Sequence, residues 1–308
     1  MTATSCSAAV GSTNIVAVRS PVRNRFEYLL ARLVLLTLAI GPRALSLLLA
    51  TVYVTILWLA VPKLRRVATW NSEITGVPLK AINGVWSSIA RHLVVFARMP
   101  HIDKSNVHEW IRYEGFEHFT RAKQAGNGVL FATLHLGAWE LSAFSHALMA
   151  EPMHIVVRPL DNPLLDELVT ARRAASGNTV LGKKEATRAI FQALKENKAV
   201  GILVDQNVGL DEGLFVNFFG RKACVSPTFS KLAARTGAVV IPGYAIWSPS
   251  EGKFVLRFDE PVGITGNVLI DTQRIQAALE RAIRAYPEQW LWIHRRWKTR
   301  PPGEEPLY

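Results

Sequence analysis

The 308-residue chain carries 36 Lys and Arg against 24 Asp and Glu, a formal net charge of +12, and 49% of its residues are hydrophobic. It is long enough to bury a sizeable core, and its slightly positive mean hydropathy points to a segment in contact with lipid. Two cysteines, Cys6 and Cys224, exclude a disulfide framework and fit a reducing, cytosolic setting, and the basic balance suits an anionic partner.

Residues 1–24 are rich in Ser, Thr and Ala without periodicity and read as a disordered tail. An apolar run at 33–40 is broken by Gly41-Pro42-Arg43, and a second, uncharged run covers 44–62. A cleavable signal peptide is not expected, because the apolar region starts late and no small-residue cleavage site follows. Two membrane arrangements fit residues 25–66: a single span at 44–62, about the minimum length, or a hairpin that turns at Gly41-Pro42 and dips into one leaflet. Arg19, Arg23, Arg25 and Arg32 precede the runs; Lys63, Arg65 and Arg66 follow them. A span would place one cluster outside, whereas a hairpin keeps both at an anionic cytoplasmic surface, which favours the hairpin. The alternative is a buried helix pair of the soluble domain.

From 70 to 119 the pattern is mainly helical, with Ile82, Val85, Trp86, Ile89, Leu93 and Phe96 on one stripe. Strands and helices then alternate. Strands are expected at 128–134, 153–158, 199–205, 238–244 and 253–258, and helices at 138–149, 163–175 and 187–197. A further helix starts at Ser226-Pro227 and ends at Gly237, and the last covers 272–286. This order predicts an α/β fold: a central, mostly parallel β-sheet flanked by helices, forming one domain over 67–308 behind the N-terminal hydrophobic helical segment.

His135 follows a buried-type strand and precedes a helix, where open α/β sheets place active groups. With Glu140 in the first helical turn and Gly137 allowing a bend, the two side chains can converge. The carboxylate would accept from one ring nitrogen, and the other would take a proton from an attacking hydroxyl. His-x4-Glu alone is common by chance, and a core histidine beside a surface glutamate fits the same spacing. No zinc-type His or Cys spacing, nucleophile elbow or Gly-rich phosphate loop occurs, so neither a metal nor a cofactor is expected.

Three other stretches stand out. Arg158 leaves a strand ahead of Asp161 and Asn162; it suits a phosphate or an oxyanion, or an ion pair with Asp161 or Asp166. Asp205 and Gln206 end a buried strand, where Asp205 can orient Arg158 or the histidine, or cap a turn. Phe219 and Arg221 suit an acyl groove or head group, or a core. The tail at 289–298 interleaves Trp with Arg, which favours a membrane interface; nucleic-acid stacking is the rival, but the apolar runs at 33–62 have no use there.

Five blocks in order carry a resemblance: HLGAWE at 135–140, VVRPLDNPLLD at 156–166, GILVDQN at 201–207, VNFFGRKACVSP at 216–227 and PEQWLWIHRRWKTRPPG at 287–303. Over about 25–303 the chain resembles the lipid A biosynthesis acyltransferases. The resemblance implies His135 and Glu140 as the catalytic pair, with Arg158, Asp205 and Gln206 near the active site. It implies an acyl carrier protein or acyl-CoA donor, a glycolipid acceptor, and work at the cytoplasmic face of the bacterial inner membrane, without nucleic acid. The same architecture serves phosphatidylinositol mannoside acylation, so the acceptor sugar stays open. The Phe-Pro-Glu-Gly-Thr-Arg block of glycerolipid relatives is absent, which argues against a glycerol phosphate acceptor. A basic membrane- or nucleic-acid-binding scaffold is the non-enzyme alternative.

Overall fold

The computed structural model describes residues 20–182 and 186–308. Most of the expected tail, residues 1–19 with Cys6, lies outside them; α1 (Pro21–Ala39) begins ahead of residue 25. It runs into α2 (Arg43–Ala60) through Gly41, whose φ of 84° makes the expected break a tight turn. Arg98 fastens this turn, donating to the Leu38 and Gly41 carbonyls and to Ser46 Oγ. Leu35, Leu38, Ala50 and Val54 are buried, whereas Phe26, Leu29, Leu33, Leu36, Leu48 and Ile56 are exposed. Among the described residues, α2 alone is long and apolar enough to cross a membrane.

Next come α3 (Pro62–Thr75), the one-turn α4 (Leu79–Ile82) and α5 (Val85–Arg98), which supplies the surface that receives the hairpin. The region expected to be mainly helical also holds a strand, β1 (Ile111–Glu114), followed by α6 (Phe116–Ala125). Four residues are too few to display a period; β1 exists because β9 offers it a partner.

The remaining elements alternate. They are β2 (Val129–Thr133), α7 (Trp139–Met149), β3 (His154–Val157), α8 (Pro163–Ala174), β4 (Thr179–Gly182), α9 (Ala186–Lys195) and β5 (Ala199–Leu203). After these come β6 (Leu214–Phe218), β7 (Arg221–Val225), α10 (Thr228–Thr236), β8 (Val239–Ser248), β9 (Lys253–Phe258) and α11 (Val268–Ala285). Seven strands form a sheet in the order β1-β9-β8-β2-β5-β3-β4. From β8 to β4 all neighbours are parallel; β9 is antiparallel to β8, and β1 parallel to β9. The mostly parallel sheet flanked by helices agrees with the sequence reading. β4 and the antiparallel pair β6–β7 were not anticipated.

Along β2, Leu130 and Ala132 join the core beneath α9, α10 and α11, while Val129 and Phe131 join the core beneath α5, α6 and α7. Burial on both faces is why this strand reads as a continuous apolar run. Caps fix two helix starts: Asn162 accepts from the Leu164 and Leu165 amides, and Asn267 from those of Leu269 and Ile270. At α10 the expected Ser-Pro start shifts by one position, with Pro227 as the cap residue.

The C-terminal Trp-Arg segment corrects the interfacial reading. Trp290, Trp292, Trp297 and Arg296 are at most 2% exposed. Trp290 and Trp297 pack on Phe218, and the Arg296 guanidinium donates to the Cys224 carbonyl and Gln276 Oε1. The aromatic and basic residues meet each other inside the fold, so their composition says nothing of lipid here.

Candidate active site

β2 and β5 are neighbours in the middle of the sheet, and the chain leaves each at its carboxyl end with a polar residue: His135 after β2 and Asp205 after β5. The His135 loop is held on three sides. The Gly137 amide donates to the Gln289 carbonyl, the Ala138 amide to that of Ala245, and the Leu291 amide to that of His135. Gly137 has φ +61°, and a Cβ there would lie 2.0 Å from the Ala245 carbonyl oxygen, so no side chain fits. The C-terminal segment is therefore a wall of the site.

Asp205, 2% exposed, accepts three hydrogen bonds. Its Oδ1 takes one from His135 Nδ1 at 2.9 Å, and its Oδ2 takes one from the His135 amide at 2.9 Å and one from the Trp290 indole at 2.8 Å. Burial opposes the charge, but His135 and these donors hold the Asp205 carboxyl at about 2. Burial likewise disfavours the imidazolium, yet the adjoining Asp205 carboxylate outweighs it and keeps His135 above the ordinary histidine value. With Nδ1–H on Asp205, Nε2 is left with its lone pair, the tautomer a general base requires. Gln206 Nε2 lies 3.4 Å from His135 Nε2.

Glu140 sits in the first turn of α7, but its hydrogen bonds go to Arg173 of α8. The guanidinium reaches it through both Nε and Nη2, at 2.8 and 2.5 Å. This bidentate pair is largely buried. Burial pushes against ionisation, and Arg173 overcomes it to hold Glu140 below the usual carboxylate range. The hydrogen bond to the ring that the sequence spacing gave to Glu140 is made by Asp205; Glu140 raises the His135 pKa through space.

Between α7 and the sheet lies a narrow pocket, in part open to solvent. Trp139, Glu140 and Arg173 line it next to Thr133, Val157 and Leu203, which stand at the carboxyl ends of their strands. Deeper, it is lined by Phe131, Ile155, Gly201, Met153, Phe258 and His146. The His135 ring centroid is 5.1 Å from that of Trp139. Gly201 leaves room for the lumen: a Cβ there would come within 2.8 Å of Met153 Cε. His146 makes a neutral floor, because burial drops its pKa to about 3 and Nδ1 is engaged with the Tyr113 hydroxyl at 2.6 Å.

The other residues singled out in the sequence lie elsewhere. Arg158 and Asp161 are exposed, 4.0 Å apart. Asn162 caps α8 and donates to the Asn24 carbonyl and Glu27 of α1, tying the hairpin to the domain. Phe219 packs against Trp290 and Trp292, and Arg221 opens β7 on the surface. Sequence reasoning missed Arg173, Trp139 and Trp290. Arg173 had no local signal, and Trp290 was visible only as a member of an aromatic tail.

The chain is similar to known acyltransferases. The family described as "Bacterial lipid A biosynthesis acyltransferase" matches residues 75–299. The chain is 30% identical to the "Lipid A biosynthesis palmitoleoyltransferase" of Escherichia coli over 66% of its own length and 67% of the relative's. It is 31% identical to the "Lipid A biosynthesis lauroyltransferase" of the same organism, covering 65% of each chain. It is 23% identical to a "Lipid A biosynthesis acyltransferase" of Haemophilus influenzae, covering 73% and 71%.

Proposed function

The chain belongs to the bacterial lipid A biosynthesis acyltransferases, and from that premise we propose that it moves a fatty acyl chain from a thioester to a hydroxyl of a lipid A precursor or similar glycolipid. The observation that carries this reading is a histidine, poised as a base by a buried carboxylate, beside a pocket lined mostly by apolar side chains. The acyl chain lies between α7 and the sheet, with its carbonyl at the Trp139 and Glu140 end. His135 Nε2 takes the proton of the acceptor hydroxyl, whose oxygen attacks the carbonyl. Asp205 holds the ring and stabilises the imidazolium; Glu140, fixed by Arg173, adds a second negative charge nearby. The thioester is already activated, so no acyl-enzyme is required. The net charge of +12 supports an anionic donor, acyl carrier protein or acyl-CoA, and a phosphorylated acceptor.

Mass spectrometry of cell lipids with and without the active gene product tests the reading: one glycolipid class should gain a single acyl chain. Gly201→Leu fills the lumen against the flexible tip of Met153 and should shift the transferred chain toward shorter lengths. An unchanged glycolipid profile overturns the acceptor assignment, and an unchanged chain length in Gly201→Leu removes the pocket from it.

We infer also that the α1–α2 hairpin anchors the domain at the cytoplasmic face of the inner membrane. Its exposed Leu29, Leu33, Leu36, Leu48 and Ile56 support this, as do basic residues at both ends. Each aspartate placed there costs up to about 3 kcal/mol in lipid. The double change Leu33→Asp and Leu48→Asp should release the chain from membranes with its unfolding transition retained; continued sedimentation with membranes contradicts the anchor.

A further inference from the structure

A tetrahedral centre needs a hydrogen-bond donor for its oxyanion as well as a base for its nucleophile. The donors that first invite that role are already engaged. The Gly137 and Ala138 amides donate to the Gln289 and Ala245 carbonyls at 2.9 and 2.8 Å, and the Leu136 amide to that of Leu134. Arg173 is forked onto Glu140, and the Trp290 indole is on Asp205. Arg158 is 84% exposed and turned toward Asp161. Beside the reacting nitrogen stands the carboxamide of Gln206, an exposed residue.

The contact between Gln206 and His135 has one chemical sense. A carboxamide nitrogen donates and does not accept, so His135 Nε2 must be the acceptor. That agrees with the Nδ1–H bond to Asp205. At 3.4 Å the bond is long, and it survives only while Nε2 is unprotonated. Nε2 has a single lone pair, so the acceptor hydroxyl displaces the carboxamide when it donates there, and the N–H is free as negative charge appears on the neighbouring carbonyl oxygen.

We propose that Gln206 is the oxyanion donor of this enzyme, handing its N–H from His135 Nε2 to the carbonyl oxygen of the acyl thioester. The inference rests on the acyl-transfer reading above. The acceptor oxygen forms the new C–O bond, its proton passes to Nε2, and the carbonyl π pair moves onto the oxygen that Gln206 then binds. Collapse breaks the C–S bond, the departing thiolate takes the proton from Nε2, and the carboxamide returns to the lone pair. Asp205 and Gln206 are consecutive residues, so one stretch of backbone after β5 serves both sides of the imidazole.

The test uses the full chain in detergent, dodecanoyl thioesters of CoA and of acyl carrier protein as donors, and a lipid A precursor as acceptor. Gln206→Leu should lower kcat by about 10²–10³-fold, the cost of one oxyanion donor. Both KM values should stay within about threefold, since the interaction exists only in the transition state. The acid limb of kcat and the unfolding temperature should not move, because in the substrate complex the acceptor hydroxyl has taken the carboxamide's place on Nε2; the limb of kcat/KM should rise slightly with the loss of that bond, and Gln206→Asn should recover part of the rate. A kcat loss below about tenfold, a loss carried by KM, or a displaced acid limb of kcat overturns the assignment; the last would make Gln206 a positioning residue for His135. If His135→Ala is inactive while Gln206→Leu is not, this proposal alone falls. If His135→Ala keeps the wild-type rate, the base reading beneath it falls.

Discussion

Replacing His135 with alanine is expected to lower kcat by about 10²–10⁴-fold while leaving both KM values nearly unchanged. The imidazole has Nδ1 bound to Asp205 and Nε2 beside Gln206, and both contacts favour the tautomer whose Nε2 carries the lone pair. Its removal takes away proton transfer but not the pocket, because His135 is not among the lining residues. The loop should also persist, since His135 is anchored by its main chain: its amide donates to Asp205 and its carbonyl accepts from Leu291. Steady-state kinetics with a thiol-release readout checks this. Retention of more than about a tenth of the rate would remove His135 from the role of base.

Asp205→Asn should be nearly as damaging, by about 10³–10⁴-fold, for a reason that follows from which groups donate to each oxygen. Two donors, the His135 amide and the Trp290 indole, converge on Oδ2. An introduced carboxamide must offer them its oxygen, which turns its NH2 toward His135 Nδ1. The ring nitrogen then has to accept, the proton moves to Nε2, and the base is lost to the wrong tautomer. The pH profile gives a second signature. In the wild-type chain Asp205 holds the His135 pKa above its ordinary value, so the rate falls as pH drops through that raised pKa. Without the carboxylate the favoured cation is lost, and the acid limb of the residual activity should move to lower pH. An unmoved limb with more than about a tenth of the activity would exclude Asp205 as the orienting group.

Variants of Glu140 are harder to interpret. Removing one partner of its buried pair strands the Arg173 guanidinium in the pocket wall, at about 3–5 kcal/mol in stability. Activity lost in Glu140→Ala therefore mixes catalysis with folding. His135→Ala leaves Asp205 two of its three donors, the residue-135 amide and the Trp290 indole, and Asp205→Asn keeps the side chain's shape, so neither strands a buried charge as completely.

The strands buried on both faces were legible as sequence. β2 and β5 are short, continuous apolar runs, because helices cover both sides of the sheet at its centre. β1 and β4 were not, since a four-residue strand carries no measurable period and forms only where a neighbour supplies hydrogen bonds. The β6–β7 pair was hidden differently. Phe219 and Gly220 looked like part of an aromatic and basic lining, whereas they make the turn, with Phe219 at φ 54° and its ring in the tryptophan core.

The alternation of elements, the apolar runs with their break at Gly41-Pro42, and the position of His135 at the carboxyl end of a strand are encoded locally, in runs and breaks a few residues long. Which carboxylate serves the histidine depends on the folded chain. Spacing nominated Glu140, five residues on; the ring instead meets Asp205, seventy residues away, because β2 and β5 lie side by side. Glu140 is claimed by Arg173 from α8, and the Trp290 indole arrives from the far end of the chain to fix Asp205. Strand order sets these partnerships, and strand order follows from how the whole chain buries its apolar faces rather than from the residues around any one site.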